Sequence, residues 1–586
     1  MKDFIKFTFA SLLGVVLAGI VFTVLGIVTM VGMIASSDTE TVVKENSILV
    51  IDFEGTLTER AENNPFQQLM GDNFNNYGLD QVLSSIKKAK ENENIKGIYI
   101  HPNYLETSFA SLEEIRKALA NFKESGKWIV AYGDQYTQDM YYLASVADKL
   151  IVNPQGSISW HGLASQPIFF KDLLNKLGIE MQIFKVGTYK SAVEPFIATE
   201  MSPANREQVT VYLNSIWEQL TNDISASRSL STDSLNILAD QLMDFKQADE
   251  YVACGLADTL MYQDEVLNYL KELTDCDKED KLNTLSLDDM QNVKRNVPLD
   301  KSGNIIAVYY AYGGIDDGTS PEEGIVSEKV IKDLRKQRED KTIKAVVLRV
   351  NSPGGSAYGS EQIWNEVVKL KAEKPVVVSM GDYAASGGYY ISCAADCIVA
   401  NPTTLTGSIG IFGMVPNMEN LLTDKLGLHF DIVKTNKLAD MGNLTRPFNS
   451  AEKDAMQNYI NNGYKLFVKR CADGRGMTTE AIEKVAEGRV WTGITAKEIG
   501  LVDELGDLDK ALEIAAEKAG IETYSAISYP KEGDLFSSLL ESGKNDYIEG
   551  KMSETFGEYY DYLKFIENLK EADRIQARMP FDLRIK

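Results

Sequence analysis

The feature that most constrains this chain is an internal repeat. Residues 95–154 align with residues 343–402 without a gap, 248 positions apart, and 16 of the 60 aligned positions are identical. A spacing of this size is far too long for a solenoid or propeller repeat, so it indicates a duplicated domain. The chain of 586 residues is therefore predicted to contain two homologous units of roughly 230–250 residues each.

Apolar runs of strand length alternate with helical periodicity in the same order in both copies. In the first copy the predicted elements are a strand at Ser47–Phe53, a helix at Leu79–Lys90, a strand at Ile95–Ile100, a helix at Leu112–Phe122 and a strand at Trp128–Ala131. In the second copy they are Ile305–Tyr310, Lys329–Lys336, Ile343–Val350, Glu361–Leu370 and Val376–Met380. Such alternation predicts an α/β fold with parallel sheets and crossover helices. The continuous apolar strands predict burial on both sheet faces.

The repeat also predicts where the domains begin and end. The two repeats are assigned to residues 46–274 and 300–528, and the polar, charged stretch between them, 275–299, is interpreted as a linker. Residues 529–586 have no counterpart in the first copy and are treated as a C-terminal tail without an assigned role.

One segment is not typical of a globular domain. Phe7–Ala35 is uncharged over 29 residues, which as a helix would measure about 44 Å and exceed a hydrocarbon core of about 30 Å. No clear cleavage site follows, so we interpret residues 1–45 as a cytoplasmic stub, an uncleaved transmembrane signal anchor and a junction. The flanking charges favour an N-terminus inside the cell and a body outside the cytoplasm.

Composition excludes some classes of partner. The net charge of −25 argues against nucleic acid as a partner, because neutralising phosphates requires a basic surface. The five cysteines are odd in number and lack the spacing of a disulfide framework, so they are expected to be free thiols. We expect no metal site and no organic cofactor.

Two Gly-rich turns in the second copy carry the chemistry. Asn351-Ser-Pro-Gly-Gly-Ser356 and Ala384-Ala-Ser-Gly-Gly388 each follow a predicted strand and precede a helix. Considered alone, the first motif is typical of an ordinary turn, and Ser386 in the second motif is typical of an ordinary helix N-cap. On neighbouring strands of one sheet, they supply a hydroxyl and two backbone N–H donors, which a tetrahedral oxyanion requires. The first copy has Asn103-Tyr-Leu-Glu-Thr-Ser108 and Tyr136-Thr-Gln-Asp-Met140 instead.

A serine nucleophile needs a base, and histidine is a poor candidate in this chain. None of the three histidines, His101, His161 and His429, lies in a Gly-rich motif. Lysine is the known substitute, but an ordinary lysine is neutral in only about one molecule in 2,500 at pH 7 and must be desolvated. Lys190 lies among small and aromatic residues after a predicted strand at Met181–Val186, and Lys437 is the rival candidate from the second copy.

Five motifs in the right order resemble the signal peptide peptidase A (protease IV) family in its long, tandem, membrane-anchored form. They are Gly187-Thr-Tyr-Lys-Ser-Ala-Val-Glu-Pro-Phe196, Val350-Asn-Ser-Pro-Gly-Gly-Ser356, Ala384-Ala-Ser-Gly-Gly-Tyr389, Leu405-Thr-Gly-Ser-Ile-Gly-Ile-Phe-Gly413 and Val490-Trp-Thr-Gly493. The resemblance spans about residues 47–528. It implies two tandem domains of the fold shared by Clp protease and crotonase enzymes.

The resemblance also implies roles for particular residues. Ser386 would be the nucleophile, Lys190 the general base and Ser408 a hydroxyl that orients the lysine, although a purely structural role for Ser408 stays open. The N–H of Gly387 and one from Gly354 or Gly355 would hold the oxyanion. The implied protein is a bacterial inner-membrane endopeptidase that acts on remnant signal peptides as a homotetramer.

Two other classes of protein fit parts of the sequence. An acyl-thioester enzyme of the crotonase type would use the paired N–H groups without a Ser/Lys pair. A catalytically inactive membrane scaffold would fit the first copy alone, but it does not explain intact Ser386, Gly387 and Lys190 in one chain.

Overall fold

The computed structural model describes residues 14, 17–19, 21, 40–61, 75–295, 300–318, 324–531 and 575–579. Among these residues no helix has the length and apolar character needed to cross a bilayer. The anchor predicted at Phe7–Ala35 lies outside the described residues, apart from residues 14, 17–19 and 21.

The first half of the chain forms a sheet of seven strands, all paired in parallel. Its order is β2-β1-β3-β4-β5-β7, with β8 also beside β1. The strands are β1 (Ser47–Thr58), β2 (Asn75–Gly78), β3 (Ile95–Glu106), β4 (Trp128–Tyr136), β5 (Lys149–Ile158), β7 (Thr259–Leu260) and β8 (Thr284–Leu285), while β6 (Glu180–Lys185) joins another sheet.

Helices cross between these strands and cover both faces of the sheet. They are α1 (Leu79–Glu91), α2 (Phe109–Lys123), α3 (Gln138–Ala144), α4 (Lys171–Leu177), α5 (Glu194–Ile197), α6 (Pro203–Arg228), α7 (Thr232–Ala239), a 3-10 turn (Met243–Phe245), α8 (Ala248–Ala253), α9 (Gln263–Leu273) and α10 (Leu287–Gln291). Helix α1 shows why such segments fold as helices on the sheet. Its residues Val82, Ile86 and Ala89 recur at helical spacing and are buried against the sheet.

The second half forms a sheet of eight strands in the order β18-β16-β14-β12-β9-β20, with β15 beside β14 and β19 beside β15. The strands are β9 (Ile305–Tyr312), β12 (Ile343–Ser352), β14 (Val376–Ala385), β15 (Cys397–Ala400), β16 (Leu405–Gly407), β18 (Val490–Thr492), β19 (Glu504–Leu505) and β20 (Ser525–Tyr529). All pairings are parallel except that of β16 with β18. The predicted α/β class with parallel sheets is confirmed, and β12 is buried along most of its length, as its apolar run predicts.

The helices of the second half repeat the crossover arrangement. They are α11 (Ser327–Glu339), α12 (Ala357–Lys371), α13 (Gly387–Ser392), a π-helical turn (Leu421–Lys425), α14 (Ser450–Arg475), α15 (Thr479–Val485), α16 (Gly493–Glu498) and α17 (Leu508–Ala519). Helix α12 is the counterpart of α2 in the repeat.

A third sheet of six strands joins the two halves and was not predicted. Its order is β11-β10-β13-β21-β17-β6, where β10 is Ile315–Asp316, β11 Ile325–Val326, β13 Gly354–Ser356, β17 Phe412–Asn417 and β21 Ile575–Arg578. Strand β6 comes from the first half, and β21 comes from the tail that had no assigned role. This sheet therefore connects three parts of the chain that are far apart in the sequence.

Part of the predicted linker packs on the first domain. Strand β8 pairs in parallel with β1, and Leu285, Leu287, Met290 and Val293 are buried in the core of the first half. Within 275–299, residues 284–293 are therefore held by the first sheet.

Candidate active site

The structure places Lys190 and Ser386 in direct contact within one chain. The Lys190 Nζ donates to the Ser386 Oγ at 2.7 Å, although the two residues are 196 positions apart. Both residues are fully buried, at 0% exposure. Lys437, the rival candidate, lies in an exposed segment instead. The pair predicted from the Gly-rich turns and the isolated lysine is the one brought together.

The third sheet carries Lys190 to the second half. Strand β6 pairs antiparallel with β17, from Glu180 opposite Asn417 to Lys185 opposite Phe412, and Lys190 lies five residues beyond the end of β6. Strand β17 in turn follows the Ser408 turn. Lys190 and the Ser408 turn that faces it are therefore positioned by a strand pair between the two halves.

A short segment that sequence reasoning missed holds the lysine loop from the other side. The Tyr189 N–H donates to the Glu487 carbonyl at 3.0 Å, and the Ser408 N–H donates to the Arg489 carbonyl at 2.7 Å. A Cβ on Gly488, which has a φ of +80°, would lie 2.7 Å from the Lys190 Cα. Only a glycine leaves room for this approach without displacing the lysine. The sequence carries a weak signal, since Gly488 lies just before the Val-Trp-Thr-Gly motif.

Ser386 lies at the junction between β14 and α13 in a strained conformation. Its φ is +56°, a region that is costly for a residue other than glycine and persists only when the surroundings enforce it. Here the Ser386 N–H donates to the Gly407 carbonyl and its own carbonyl accepts from the Tyr390 N–H, both at 2.8 Å. The strand-to-helix turn predicted around Ser386 is confirmed, and it presents the hydroxyl toward Lys190.

The surroundings of Lys190 favour its neutral form. Its Nζ contacts the Ser386 Oγ, the Ser408 Oγ at 3.1 Å and the Ser408 carbonyl at 3.2 Å, and all three of these oxygens are uncharged. Burial lowers the pKa of Lys190 well below its usual 10.5, because the ammonium loses its hydration without gaining a counter-ion. A neutral amine in this position can accept the proton of the serine hydroxyl.

Gly387 and Gly354 lie side by side next to the hydroxyl. Gly387 is the first residue of α13, where an N–H has no acceptor within the helix. A Cβ placed on Gly354 would lie 2.7 Å from the Gly387 nitrogen. Gly354 also lies opposite Arg578, and its N–H donates to the Ser352 Oγ at 3.2 Å, while Gly355 pairs with Ile315 on one side and Ala577 on the other. Of the three predicted glycines, Gly387 and Gly354 are therefore the ones whose backbones meet beside Ser386.

In the first copy, the residue that aligns with Ser386 has a structural role. Gln138, which aligns with Ser386, accepts from the backbone N–H groups of His161 and Gly162 and donates to the Gly162 carbonyl. His101 bonds to Asp52 and stacks on tyrosine rings at the end of the first sheet. In the described part of the chain, the side-chain hydrogen bonds and ring contacts of His101 involve neither Ser386 nor Lys190.

Strand β21 lies against the predicted oxyanion turn. It pairs antiparallel with β13, with Gly354 opposite Arg578 and Gly355 opposite Ala577, and it pairs antiparallel with β17 on its other side. The Met579 N–H donates to the Pro353 carbonyl at 2.6 Å. No motif in the sequence marks these residues, because five residues are too few to show a period and they follow a long charged stretch.

Comparison with known proteins identifies the family. The model of peptidase family S49 matches the chain twice, over residues 121–277, which include Lys190, and 368–522, which include Ser386. Protease 4 of Salmonella typhi is 38% identical over 510 residues, covering 84% of this chain and 82% of the relative. Protease 4 of Haemophilus influenzae is 36% identical over the same shares of the two chains.

A plant relative extends the match. Serine protease SPPA, chloroplastic, of Arabidopsis thaliana is 31% identical over 545 residues, covering 92% of this chain and 78% of the relative. The repeated family match falls on both copies of the duplication, and the relatives align with most of the chain. The chain therefore belongs to peptidase family S49 and is a serine protease.

Proposed function

We propose that this protein is a membrane-anchored endopeptidase with a Ser386/Lys190 dyad that hydrolyses remnant signal peptides. The observation that carries the proposal is the 2.7 Å contact between the Lys190 Nζ and the Ser386 Oγ in a fully buried setting. A buried amine with a lowered pKa is what a serine nucleophile requires when histidine is missing from the site.

The proposed reaction follows from the positions of these groups. Ser386 attacks the carbonyl carbon of the peptide while Lys190 takes the hydroxyl proton, and Lys190 later passes this proton to the leaving amine. The N–H of Gly387 and that of Gly354 or Gly355 stabilise the oxyanion. Water then attacks the acyl-enzyme, again with Lys190 as base. Ser408 positions the lysine, since its hydroxyl and its carbonyl both lie within hydrogen-bonding distance of Nζ.

The proposed location and substrate rest on the sequence and on the relatives. The uncharged run at Phe7–Ala35 has the length of a signal anchor, and two of the relatives are bacterial. We place the catalytic body outside the cytoplasm, attached to the inner membrane by one span. An anchor on the enzyme would favour substrates that remain in the bilayer, as cleaved signal peptides do.

We further propose that copies of the chain associate head to tail, as a homotetramer. In the second half, Asp382 accepts from the Ser111 N–H and hydroxyl, and Asn401 donates to Glu114. Helix α2 of the first half thereby covers the end of the second sheet. The equivalent residues of the first half, Asp134 and Asn153, pair with each other at an exposed position. Helix α12 of another copy, the counterpart of α2, would fit this uncovered face.

Charge reversal at this face tests the association. Asp134→Arg is expected to shift the particle mass in sedimentation or light scattering toward the single chain, because it removes the acceptor that α12 of the next copy would meet. Asp172→Arg on α4 is the control and should keep the wild-type mass. An unchanged assembly with Asp134→Arg in a folded protein would contradict the head-to-tail arrangement.

The pH dependence of the reaction tests the lysine base. Below its folded pKa Lys190 is an ammonium and cannot accept a proton, so kcat/KM for an uncharged peptide is expected to rise with pH. Because burial lowers that pKa, the rise should be complete well below pH 10.5. A rate that is flat from about pH 5 to about pH 9, with the chemical step limiting, would argue against a lysine base. Labelling of wild type but not Ser386→Ala by a fluorophosphonate would identify the nucleophile.

A further inference from the structure

The loop that carries Lys190 has no helix or strand of its own to hold it. Lys190 lies between the end of β6 and the start of α5, outside both elements. Its N–H donates to the Gly187 carbonyl at 3.4 Å, which is long for an N–H···O hydrogen bond. The position of the lysine therefore depends on contacts from neighbouring elements.

The side chain of Gln208, on α6, bonds to the residues on both sides of Lys190 in the chain. Its Nε2 donates to the Tyr189 carbonyl at 3.1 Å and to the Ser191 Oγ at 2.9 Å. Gln208 is 1% exposed and Ser191 is fully buried. Because water cannot replace a lost partner at such a depth, these bonds are costly to break. Gln208 therefore holds the chain on either side of the lysine.

The other end of the same amide bonds to the strand pair that holds Ser386. The Gln208 Oε1 accepts from the Val490 N–H at 3.2 Å. In β18, Val490 lies opposite Gly407 of β16, and the Gly407 carbonyl accepts from the Ser386 N–H at 2.8 Å. One buried side chain therefore connects the lysine loop to the strands that position the hydroxyl.

A buried network fixes which end of the amide faces the lysine loop. Glu194, 5% exposed, accepts from the Asn205 Nδ2 at 2.9 Å. The Asn205 Oδ1 is thereby left to accept from the Gln208 Nε2 at 3.1 Å. A carboxylate and a carbonyl only accept, and a backbone N–H only donates. The partners of Gln208 are therefore satisfied in one orientation, with Nε2 toward Tyr189 and Oε1 toward Val490.

We propose that Gln208 is a positioning residue that sets the distance between the Lys190 Nζ and the Ser386 Oγ. The inference rests on the proposed function of these two groups. Gln208 acts through the backbone of the lysine loop and through β18. A displacement of about 1 Å at a reacting group is enough to lower the rate roughly 100-fold. Proton transfer to Lys190 takes place after the peptide is bound, so the loss is expected in kcat and not in KM.

Gln208→Leu tests this role by removing every hydrogen bond of the amide at nearly constant volume. With Ser386 labelled to completion by a fluorophosphonate to count the active sites, kcat per site is expected to fall by about 100-fold at an unchanged KM. A kcat equal to that of wild type would overturn the proposal.

Gln291→Leu is the matched control. The Gln291 Nε2, on α10 in the first half, also donates to two backbone carbonyls and one serine hydroxyl, those of Gln81, Leu287 and Ser85. The variant removes a similar set of bonds away from Lys190, so its kcat should equal that of wild type. The same loss of kcat in both leucine variants would mean that Gln208 has only a general structural role, and would overturn the proposal.

Gln208→Glu keeps the role testable if the leucine variant does not fold. While protonated, the introduced carboxyl group can donate to the Tyr189 carbonyl and accept from the Val490 N–H, which restores the bridge. Once ionised it only accepts, and it repels the Tyr189 carbonyl. The kcat of this variant relative to wild type is therefore expected to fall from about pH 6 to about pH 9, the range in which a buried carboxyl ionises. A ratio that is independent of pH would contradict the role.

Labelling of Ser386 separates a failure of this inference from a failure of the proposed function. If a fluorophosphonate does not label Ser386 in wild type, the proposed nucleophile is wrong and the role of Gln208 falls with it. If wild type is labelled and both Gln208 variants turn over at the wild-type rate at every pH, the Ser386/Lys190 pair stands and only the role of Gln208 is overturned.

Discussion

Ser386→Ala and Lys190→Met are each expected to lower kcat by several orders of magnitude while the protein stays folded. Removing a nucleophile or its base costs about 10⁴- to 10⁶-fold in kcat for a serine peptidase. Methionine fills most of the volume of the buried Lys190 side chain, so the loss reports on chemistry. Because the two side chains act as one unit, the double variant should be no slower than Ser386→Ala. Steady-state hydrolysis of a fluorogenic peptide, with circular dichroism as the folding check, measures all three.

Lys437→Met is the matched control for the base. Lys437 is exposed, and substitutions at such positions change stability by about 0.5 kcal/mol or less, so wild-type turnover is expected. Substantial turnover by Lys190→Met together with loss in Lys437→Met would transfer the role of base to the second copy. If the variant that combines Ser386→Ala with Lys190→Met were much slower than either single variant, Ser386 and Lys190 would be shown to act separately.

Arg349→Met is expected to destabilise the protein more than any other single change outside the active site. The guanidinium, 1% exposed, bonds to both Glu59 oxygens at 2.9 and 3.1 Å and to Glu114 at 2.8 Å. Both carboxylates come from the first half of the chain. Removing one partner of a buried ion pair costs about 3–5 kcal/mol, because the remaining charge is buried without compensation.

The loss of stability caused by Arg349→Met should be larger at high pH than at low pH. Burial already raises the pKa of Glu114 to about 7, and without Arg349 it rises further. A carboxyl with a pKa raised on folding contributes stability at low pH, and this is lost as the pH rises through the folded value. Urea unfolding of Arg349→Met should therefore show a larger deficit at pH 8 than at pH 6.

Two variants make this result interpretable. Lys497→Met breaks the exposed pair with Glu504 and should cost at most about 1 kcal/mol. Adding Glu59→Gln and Glu114→Gln to Arg349→Met should recover much of the stability, since no buried charge is then left over. A deficit that is independent of pH and unrelieved by the glutamines would mean that packing accounts for the role of Arg349.

The parallel sheets could be predicted well from the sequence because their signal is local. The run Ile343–Val350 is aliphatic apart from Lys344 and Arg349, and the strand was found at Ile343–Ser352. Likewise the helix predicted at Leu79–Lys90 was found at Leu79–Glu91. In each case neighbouring residues share one periodicity, and burial of that face drives the element.

The third sheet could not be predicted, because its strands pair across large sequence distances. Strands β10, β11 and β13 are two or three residues long, too short to show a period. Strand β21 lies in a stretch with no counterpart in the repeat. The pairing of β21 with β13 requires glycines in β13, because a side chain at Gly354 would collide with the backbone of β21. This requirement lies in the sequence of β13 and leaves no mark in the sequence of β21.

The sequence by itself determined the duplication, the α/β class, Ser386 and two candidate lysines, since only the second copy keeps the serine and both Gly-rich turns. Only the tertiary structure decided between Lys190 and Lys437, by pairing β6 with β17 and burying one amine beside the hydroxyl. It also placed residues 575–579 against the turn at Gly354 and Gly355, which the sequence predicts to supply an oxyanion donor. The physical reason is that desolvation and contact distance arise from residues far apart in the chain, so neither can be read from local pattern.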